Sequence, residues 1–350
     1  MMIRGQHNLP NRQRGLTMVE LMIAVTLGLL LTAGILQIFI GSKKTYEFQR
    51  ELSRIQENGR FAMEFLTRDI RQADFWGCLN DGVNVTSVLD DGKTADAYAA
   101  GVAASDALPS STTGYAPALG PLSDSITLQG GNGGGIRVTK YSNAEASNIK
   151  LDKLDHPKGK TITAGDILMV TDCVNAVVFQ VTNTTVSTQT VAHQSGTEVP
   201  GNIAPPDGVP GGLGFGFDTD ATVFDATPVR YWLRKGTSGE PALIRGTEGD
   251  DWKNDGVELV EGVENMQFLY GEDTNGDGVP NYFVPAGNVG NMDNVVSVQV
   301  HLLLRSIRNN MLDSPQTDIE YYGQSRTATA FDRYIRRAFT ATVALRNRLN

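Results

Sequence analysis

The chain has 350 residues, of which 40% are hydrophobic and 20% are charged, and its formal net charge is -9. A chain of this length can bury a sizeable core, in one large or two smaller domains. The acidic balance does not favour a globally basic nucleic-acid-binding surface, so DNA is not predicted as a partner.

A basic leader precedes a long apolar run at the N-terminus. Residues 21–40 contain no charged residue, and Glu20 is the only one within residues 16–40. This length is about what a helix needs to cross a bilayer. Because arginines are concentrated in the leader, we expect the N-terminus in the cytoplasm and the bulk of the chain outside.

The junction between leader and apolar run has the sequence RGLTMVE, from Arg14 to Glu20. An ordinary secretory signal places small residues after the apolar core, whereas Gly15 precedes it here. The pattern resembles the class III signal of type IV prepilins and pseudopilins. The resemblance implies cleavage between Gly15 and Leu16 by a prepilin peptidase, followed by N-terminal methylation. The leader carries three arginines and no acidic residue, so its removal changes the side-chain net charge from -9 to -12.

Glu20 is a carboxylate in an apolar span, where an ionisable group is costly. One interpretation is a side chain that reaches the membrane interface. The pilin resemblance implies another, in which Glu20 neutralises the N-terminal amine of Leu16 in a neighbouring subunit. We favour the second, since apolar spans rarely carry an acid without a partner.

The apolar pattern continues beyond the span as a stripe. No proline occurs from residue 16 to residue 73, which predicts one continuous helix whose first half lies in the membrane and whose second half lies under a head. Apolar residues with three- and four-residue spacings, and Gly59 among them, form one face. That face comprises Phe48, Leu52, Ile55, Ala62, Phe65, Leu66, Ile70 and Ala73.

Two cysteines, Cys78 and Cys173, occur in the part expected outside the cytoplasm. Thiol pairs in oxidising compartments form disulfides, and we predict one here. In the chain-entropy model a loop of this size contributes roughly 4 to 5 kcal/mol to stability. The alternative is two buried free thiols.

The rest of the chain is predicted to be β-rich. Residues 81–123 and the GGNGGG sequence at 130–135 are interpreted as loops, because small and polar residues dominate them. Alternating or β-branched runs predict strands at 166–171, 176–182, 229–234, 242–245, 296–304 and 339–345. We expect a mainly antiparallel sheet packed on the amphipathic half of the helix, an α+β fold.

A short acidic segment supports two interpretations. Asp273, Asn275 and Asp277 match the first half of a calcium loop, but the position of the bidentate glutamate is Val284, which excludes an intact EF-hand. A hairpin turn explains the same residues without metal. A weak calcium site completed by other oxygens, such as those of Glu272, is the alternative; no other cofactor is predicted.

Catalytic signals are few. His156, His193 and His301 stand without a metal or nucleophile motif, and His301 is interpreted as a surface residue. A concentration of arginines near the C-terminus is interpreted as a solvated strand surface, with contact to an acidic partner or DNA as the alternative. These are Arg333, Arg336, Arg337, Arg346 and Arg348.

Both ends of the chain resemble PilW-like minor pilins. The resemblance lies in residues 68–73 leading to Gly77 and Cys78, and in residues 263–271, 295–306 and 336–348. The absence of a helix-kinking proline also favours a minor subunit over a major one. The implied organisation is a leader (1–15), a transmembrane half-helix (16–40), an amphipathic half-helix (41–73) and a β-rich head with long loop insertions (74–350).

The resemblance implies a non-catalytic protein, stored in the bacterial inner membrane with its head in the periplasm. It would help to initiate type IV pilus assembly and join a tip complex at the cell surface. The implied partners are prepilin peptidase, other minor pilins and a PilY-type tip adhesin. A type II secretion pseudopilin of the J class and a membrane-anchored surface binding protein are the alternatives.

Overall fold

The computed structural model describes residues 15, 17–77, 83–89, 101–140, 147–155, 161–195, 201–203, 212–247 and 251–349. The chain forms two compact units, Met1–Glu51 and Leu52–Asn350. A long apolar helix and mostly antiparallel sheets confirm the predicted α+β, pilin-like fold class.

Helix α1 (Met18–Gln72) has 55 residues. In its part of the first unit, an 18-residue window has a mean hydropathy of 2.3 and none of it is buried. By length and composition this segment can cross a membrane. Its threonine hydroxyls bond within the helix: Thr26 donates to the Met22 carbonyl at 2.9 Å and Thr32 to the Gly28 carbonyl at 2.8 Å. Because the hydrocarbon core of a bilayer contains no water, polar groups there must form hydrogen bonds within the protein.

The remaining elements of the described residues are a four-residue helix, α2 (Ser110–Thr113), four three-residue 3-10 helices and nineteen strands. The first ten strands are β1 (Asn84–Ser87), β2 (Val102–Ser105), β3 (Ser125–Leu128), β4 (Asn132–Lys140), β5 (Asn148–Leu151), β6 (Ile167–Thr171), β7 (Asn175–Gln180), β8 (Asn183–Thr185), β9 (Thr190–Ala192) and β10 (Thr222–Asp225). The others are β11 (Val229–Lys235), β12 (Pro241–Gly246), β13 (Val257–Glu261), β14 (Val263–Glu272), β15 (Tyr282–Val284), β16 (Val295–Arg305), β17 (Ile319–Tyr321), β18 (Gln324–Arg326) and β19 (Arg336–Ala344).

The strands form four sheets. Their orders are β1-β7-β6-β10-β4-β5-β9-β8, β13-β12-β11-β3-β2, β15-β14-β16-β19 and the hairpin β17-β18. Among the strands of the described residues, all pairs are antiparallel except β1 with β7. In the four-stranded sheet, Val300 lies opposite Phe268 of β14 and Ala341 of β19.

The second half of α1 buries the predicted apolar stripe. Ile55, Ala62, Leu66 and Ile70 are each at most 2% exposed. Gly59 lies directly against the Phe339 ring of β19, since a Cβ built there would be 2.3 Å from the nearest ring carbon. The helix therefore packs closely on the four-stranded sheet, and the glycine permits that approach.

Polar contacts also attach α1 to the five-stranded sheet. The carboxylate of Asp69 accepts a hydrogen bond from the Tyr231 hydroxyl at 2.7 Å and from Arg245 Nε at 3.0 Å. Burial, together with the charge of Asp69, raises the pKa of Tyr231 above its usual value, so the phenol remains a donor. Farther along, Asn58 donates to the Glu261 carbonyl at 2.8 Å.

The C-terminal residues close the end of α1. The Asn347 side chain donates to the Ala73 carbonyl at 2.8 Å, and Arg348 forms an ion pair with Asp74. Arg348 also donates to the Val295 carbonyl at 3.0 Å. The last carbonyls of a helix lack partners within the helix, and these distant side chains supply one. A cation is also favourable beside that end of the helix dipole.

A buried ion pair connects strands β14 and β19, which lie on either side of β16. Arg336 donates to the two carboxylate oxygens of Glu264 at 2.6 and 3.0 Å, and both side chains are fully buried. Asp332 pairs with the same guanidinium at 2.7 Å. Removing one partner of such a pair leaves a buried charge without compensation, which costs about 3 to 5 kcal/mol.

The prediction for His301, a residue of the central strand β16, was wrong. His301, interpreted from the sequence as a surface residue, is only 9% exposed. Its Nε2 lies 3.0 Å from Gln299 Oε1 and its Nδ1 lies 3.2 Å from Thr340 Oγ1. Residues on both faces of β16 are buried, because a cluster that includes Leu303, Ile319 and Tyr321 covers the second face.

Two predicted loops contain strands. The segment 81–123 includes β1 and β2, although parts of it lie outside the described residues. The glycine-rich segment 130–135 enters β4 at Asn132. There the glycines allow close packing, because a Cβ at Gly135 would lie 2.1 Å from Thr222 of β10.

Asp124 joins three segments of the second unit. Its carboxylate accepts hydrogen bonds from the backbone N–H groups of Ala107 and Phe268, each at 2.9 Å. Its own N–H donates to the Met266 carbonyl at 2.9 Å. Burial raises the pKa of Asp124 to about 7, although the two N–H donors oppose that shift.

We expect Gly59→Ala to destabilise the protein. Overpacking against Phe339 costs roughly 1 to 3 kcal/mol, which outweighs the roughly 1 kcal/mol that alanine contributes to a helix. Thermal melting of the purified protein would measure the change. Gly41→Ala, where no atom lies near the added Cβ, is the matched helical control and should not lower the melting temperature. Equal melting of both variants would contradict the close contact.

We expect Asp124 to make stability depend on pH. Its folded pKa of about 7 exceeds the ordinary value of 3.8, so protonation favours the folded state. Its contribution is present below the lower value and is lost as the pH rises towards the higher one. Asp124→Asn removes this titration, so its stability should change less than that of the wild type over this range. Denaturant unfolding measured at several pH values tests this, and parallel pH curves would contradict it.

Candidate processing and assembly site

The residues around the predicted cleavage point lead directly into α1. Gly15 is exposed and precedes the helix, while Leu16 lies outside the described residues. The Thr17 hydroxyl accepts a hydrogen bond from the Glu20 backbone N–H at 3.2 Å, and the Thr17 carbonyl accepts one from Leu21 at 3.1 Å. Thr17 is therefore the N-cap of α1. The sequence signal for this cap, which was not among the predicted features, is Thr-x-x-Glu from Thr17 to Glu20.

Glu20 lies in the first turn of α1 and is exposed. Within the described residues its carboxylate makes no hydrogen bond and no ion pair. A carboxylate in the first turn interacts favourably with the helix dipole, by about 0.3 to 1 kcal/mol. The surrounding apolar side chains of residues 18–40 are also exposed, so this turn offers a charge within an otherwise apolar surface.

Cys173 occupies the turn between β6 and β7 with a φ of 73°, and it is disulfide-bonded. Its predicted partner, Cys78, lies outside the described residues. The preceding residue, Gly77, approaches Thr171 so closely that a Cβ would lie 2.1 Å from the Thr171 methyl group. Gly77, the residue before Cys78, therefore contacts Thr171, which lies two residues before Cys173. This placement supports the Cys78–Cys173 pairing, which stays a prediction.

The candidate calcium loop is a tight turn between β14 and β15. One oxygen of Asp273 accepts hydrogen bonds from the N–H groups of Asn275 and Gly276, and the other accepts one from Gly278 at 2.7 Å. The Asn275 amide donates to Asp277 at 3.0 Å. Although burial opposes it, these N–H donors lower the pKa of Asp273. The turn is thus closed by its own backbone; calcium binding by Asp273, Asn275 and Asp277 stays a prediction.

Glu272, considered as an additional calcium ligand, already has several donors. The N–H groups of Gly290 and Asn291 and the Tyr282 hydroxyl donate to its carboxylate at 2.8 to 3.0 Å. These bonds lower the pKa of Glu272. In the part of the chain that the structure describes, no group of three or more His, Cys, Asp or Glu residues is placed to hold a metal ion.

The C-terminal arginines do not form one basic strand surface, which corrects that interpretation. Arg336 is buried against Glu264, and Arg348 is paired with Asp74. Arg337 and Arg346 remain exposed. The sequence could not distinguish these roles, because the acidic partners come from distant segments.

Comparison with known proteins gives two family matches. Residues 230–347 match the family described as Type IV Pilus-assembly protein W, and residues 10–36 match the Prokaryotic N-terminal methylation motif. No curated protein and no solved structure matches the chain significantly. The first match covers β11, β12 and β13 of the five-stranded sheet, the four-stranded sheet and Asn347, one of the two C-terminal residues that close α1.

The second match covers the cleavage point, the cap and the start of the apolar helix. Such a signal with such a helix indicates membrane anchoring, prepilin processing and interaction with other pilus components. The two matches therefore support a PilW-like type IV pilin.

Proposed function

We propose that this pilin is a minor subunit that helps to initiate type IV pilus assembly and forms part of the pilus tip complex. The observation that carries the proposal is the Glu20 carboxylate, which has no partner within the described residues and lies on an apolar, exposed helix. The match to the pilus-assembly family over residues 230–347 favours a pilus over a secretion apparatus.

The balance of energies at Glu20 favours a partner from another subunit. A carboxylate within the membrane costs about 2.5 to 3.5 kcal/mol on insertion scales. The dipole at the start of α1 returns about 0.3 to 1 kcal/mol. The dipole therefore offsets only part of the cost of the Glu20 carboxylate while the subunit is stored in the inner membrane. We infer that the N-terminal amine of a neighbouring subunit, exposed by cleavage before Leu16, compensates it on entry into the filament.

The helix and head sequences favour a minor rather than a major role. No proline interrupts α1 between Met18 and Gln72, so the kink expected of a major subunit is absent from the helix. The second unit runs from Leu52 to Asn350 and is large for a subunit repeated along a thin fibre. We propose that this head lies in the periplasm before assembly, acts without catalysis, and contacts other minor pilins and a PilY-type adhesin.

Glu20→Gln should be processed normally yet enter pili poorly, because the charge is lost and the length of the side chain is kept. Mass analysis of the N-terminus and the amount of protein in sheared pili measure the two steps. Thr17→Val, which removes the capping hydroxyl but keeps Glu20, is the matched control. We expect it to enter pili, with a helix weakened by about 1 kcal/mol.

Two results would contradict this assignment of Glu20. One is normal incorporation of Glu20→Gln. The other is an equal defect in Thr17→Val, which would attribute poor incorporation to a weakened start of the helix and not to the charge of Glu20. Replacing Gly15 by leucine provides the processing control: it should block cleavage, and a mature wild-type N-terminus other than Leu16 would refute the cleavage site.

Deletion of the gene should abolish or strongly reduce surface pili and leave protein secretion intact. Immunogold labelling of the complemented strain should place the protein at pilus ends rather than along the fibre. Loss of secretion with normal pili would assign the protein to the type II pseudopilins. Normal pili and normal secretion would instead favour a membrane-anchored surface binding protein.

A further inference from the structure

A cavity of about 890 Å³ lies in the second unit, where the end of α1 meets β4 and the C-terminal residues. Its lining includes Arg68 and Arg71 from the helix, Arg346 from the C-terminal segment and the apolar side chains of Phe75 and Leu349. The size falls within the range of sites that enclose a small ligand or a short peptide segment. Neither the cleavage site nor Glu20 belongs to it.

The charge of the cavity is opposite to that of the protein. The chain carries a net charge of -9, yet the lining has three arginines against one acidic residue, Glu64. Glu64 already has a cationic neighbour outside the lining, Arg60, at 3.8 Å. Such a concentration of positive charge in a concave surface attracts anions and excludes cations.

Two of the three guanidinium groups are available. Arg71 and Arg346 make no hydrogen bond and no ion pair within the described residues, and both are exposed. Arg68 is partly occupied: it pairs with Asp69 at 3.1 Å and lies 5.3 Å from the centre of the Phe65 ring. Arginine binds carboxylates through two parallel N–H donors, which gives both strength and direction.

The other lining groups indicate the class of ligand. Phe75 and Leu349 offer apolar contact, which a bare inorganic anion does not use, while Gln72 offers an amide suited to a peptide backbone. Asn347 is held in place because its side chain donates to Ala73. A single phosphate would also leave most of the volume empty.

We propose that this cavity binds an extended, acidic peptide segment of a partner protein. Aspartate or glutamate carboxylates of that segment pair with Arg71 and Arg346, and its apolar atoms contact Phe75 and Leu349. The inference rests on the cavity and not on the assembly role proposed above, so each can fail without the other.

The test uses the full-length mature protein in an uncharged detergent and a fluorescent hexaglutamate peptide, with binding followed by anisotropy. Hexaglutamine is the uncharged control peptide. We expect hexaglutamate alone to bind, with an affinity that falls as salt increases. Arg71→Gln and Arg346→Gln should each weaken binding about tenfold, since each removes a charge-assisted pair. Arg71→Lys should bind with an affinity between those of the wild type and Arg71→Gln.

Arg337→Gln is the matched control, because Arg337 is an exposed arginine of β19 outside the cavity. We expect it to bind hexaglutamate like the wild type. The proposal is overturned if hexaglutamate does not bind, if hexaglutamine binds equally, or if Arg337→Gln loses as much affinity as Arg71→Gln. Complete displacement of the peptide by an equal concentration of inorganic phosphate would also overturn it, because the site would then recognise a single anion.

Discussion

The attachment of the last turns of α1 is the interaction on which the second unit depends. Apolar burial of Leu66 and Ile70 supplies the larger part of the free energy, at about 25 cal/mol for each Å² removed from water. That force has no direction, however, and would tolerate a rotated helix. Direction comes from Asp69, whose carboxylate holds Tyr231 and Arg245, and from the C-terminal residues that meet Ala73 and Asp74.

These contacts connect the end of α1 with the C-terminal part of the chain. Tyr231 and Arg245, the partners of Asp69, lie in the residues matched by the pilus-assembly family, whereas Arg348, the partner of Asp74, lies just after them. Glu264 and Arg336, which connect β14 and β19 across the intervening strand β16, also lie in the matched residues. A charge buried without its partner is costly, so the loss of one residue of such a pair leaves the other uncompensated. The eight-stranded sheet has a separate core, and its strands lie outside the matched range.

Local regularities were predictable and distant pairings were not. The helical stripe and strand β19 follow from periodicity, and β19 alternates as such a strand should: Val343 is buried while Thr342 and Ala344 on either side are exposed. In β16 the same alternation was misleading, because a second layer covers the polar face that contains His301. The glycines before and within β4 resembled a loop because the sequence does not show that β10 packs against them. The arginine cavity combines residues from three distant segments, and no spacing rule brings those together.

The residues at the start of α1 both cap the helix and provide a carboxylate for the proposed pairing with another subunit. The proposed cut before Leu16 leaves the new amine next to Thr17, which caps the helix, and four residues before Glu20. A positive charge is unfavourable at that end of the helix dipole, whereas a negative one is favourable. The amine therefore benefits from a carboxylate partner more than it would elsewhere, and Glu20 in hydrocarbon benefits from a cation. Because the cap satisfies the Glu20 backbone through Thr17, the side chain of Glu20 remains available for an amine of another subunit.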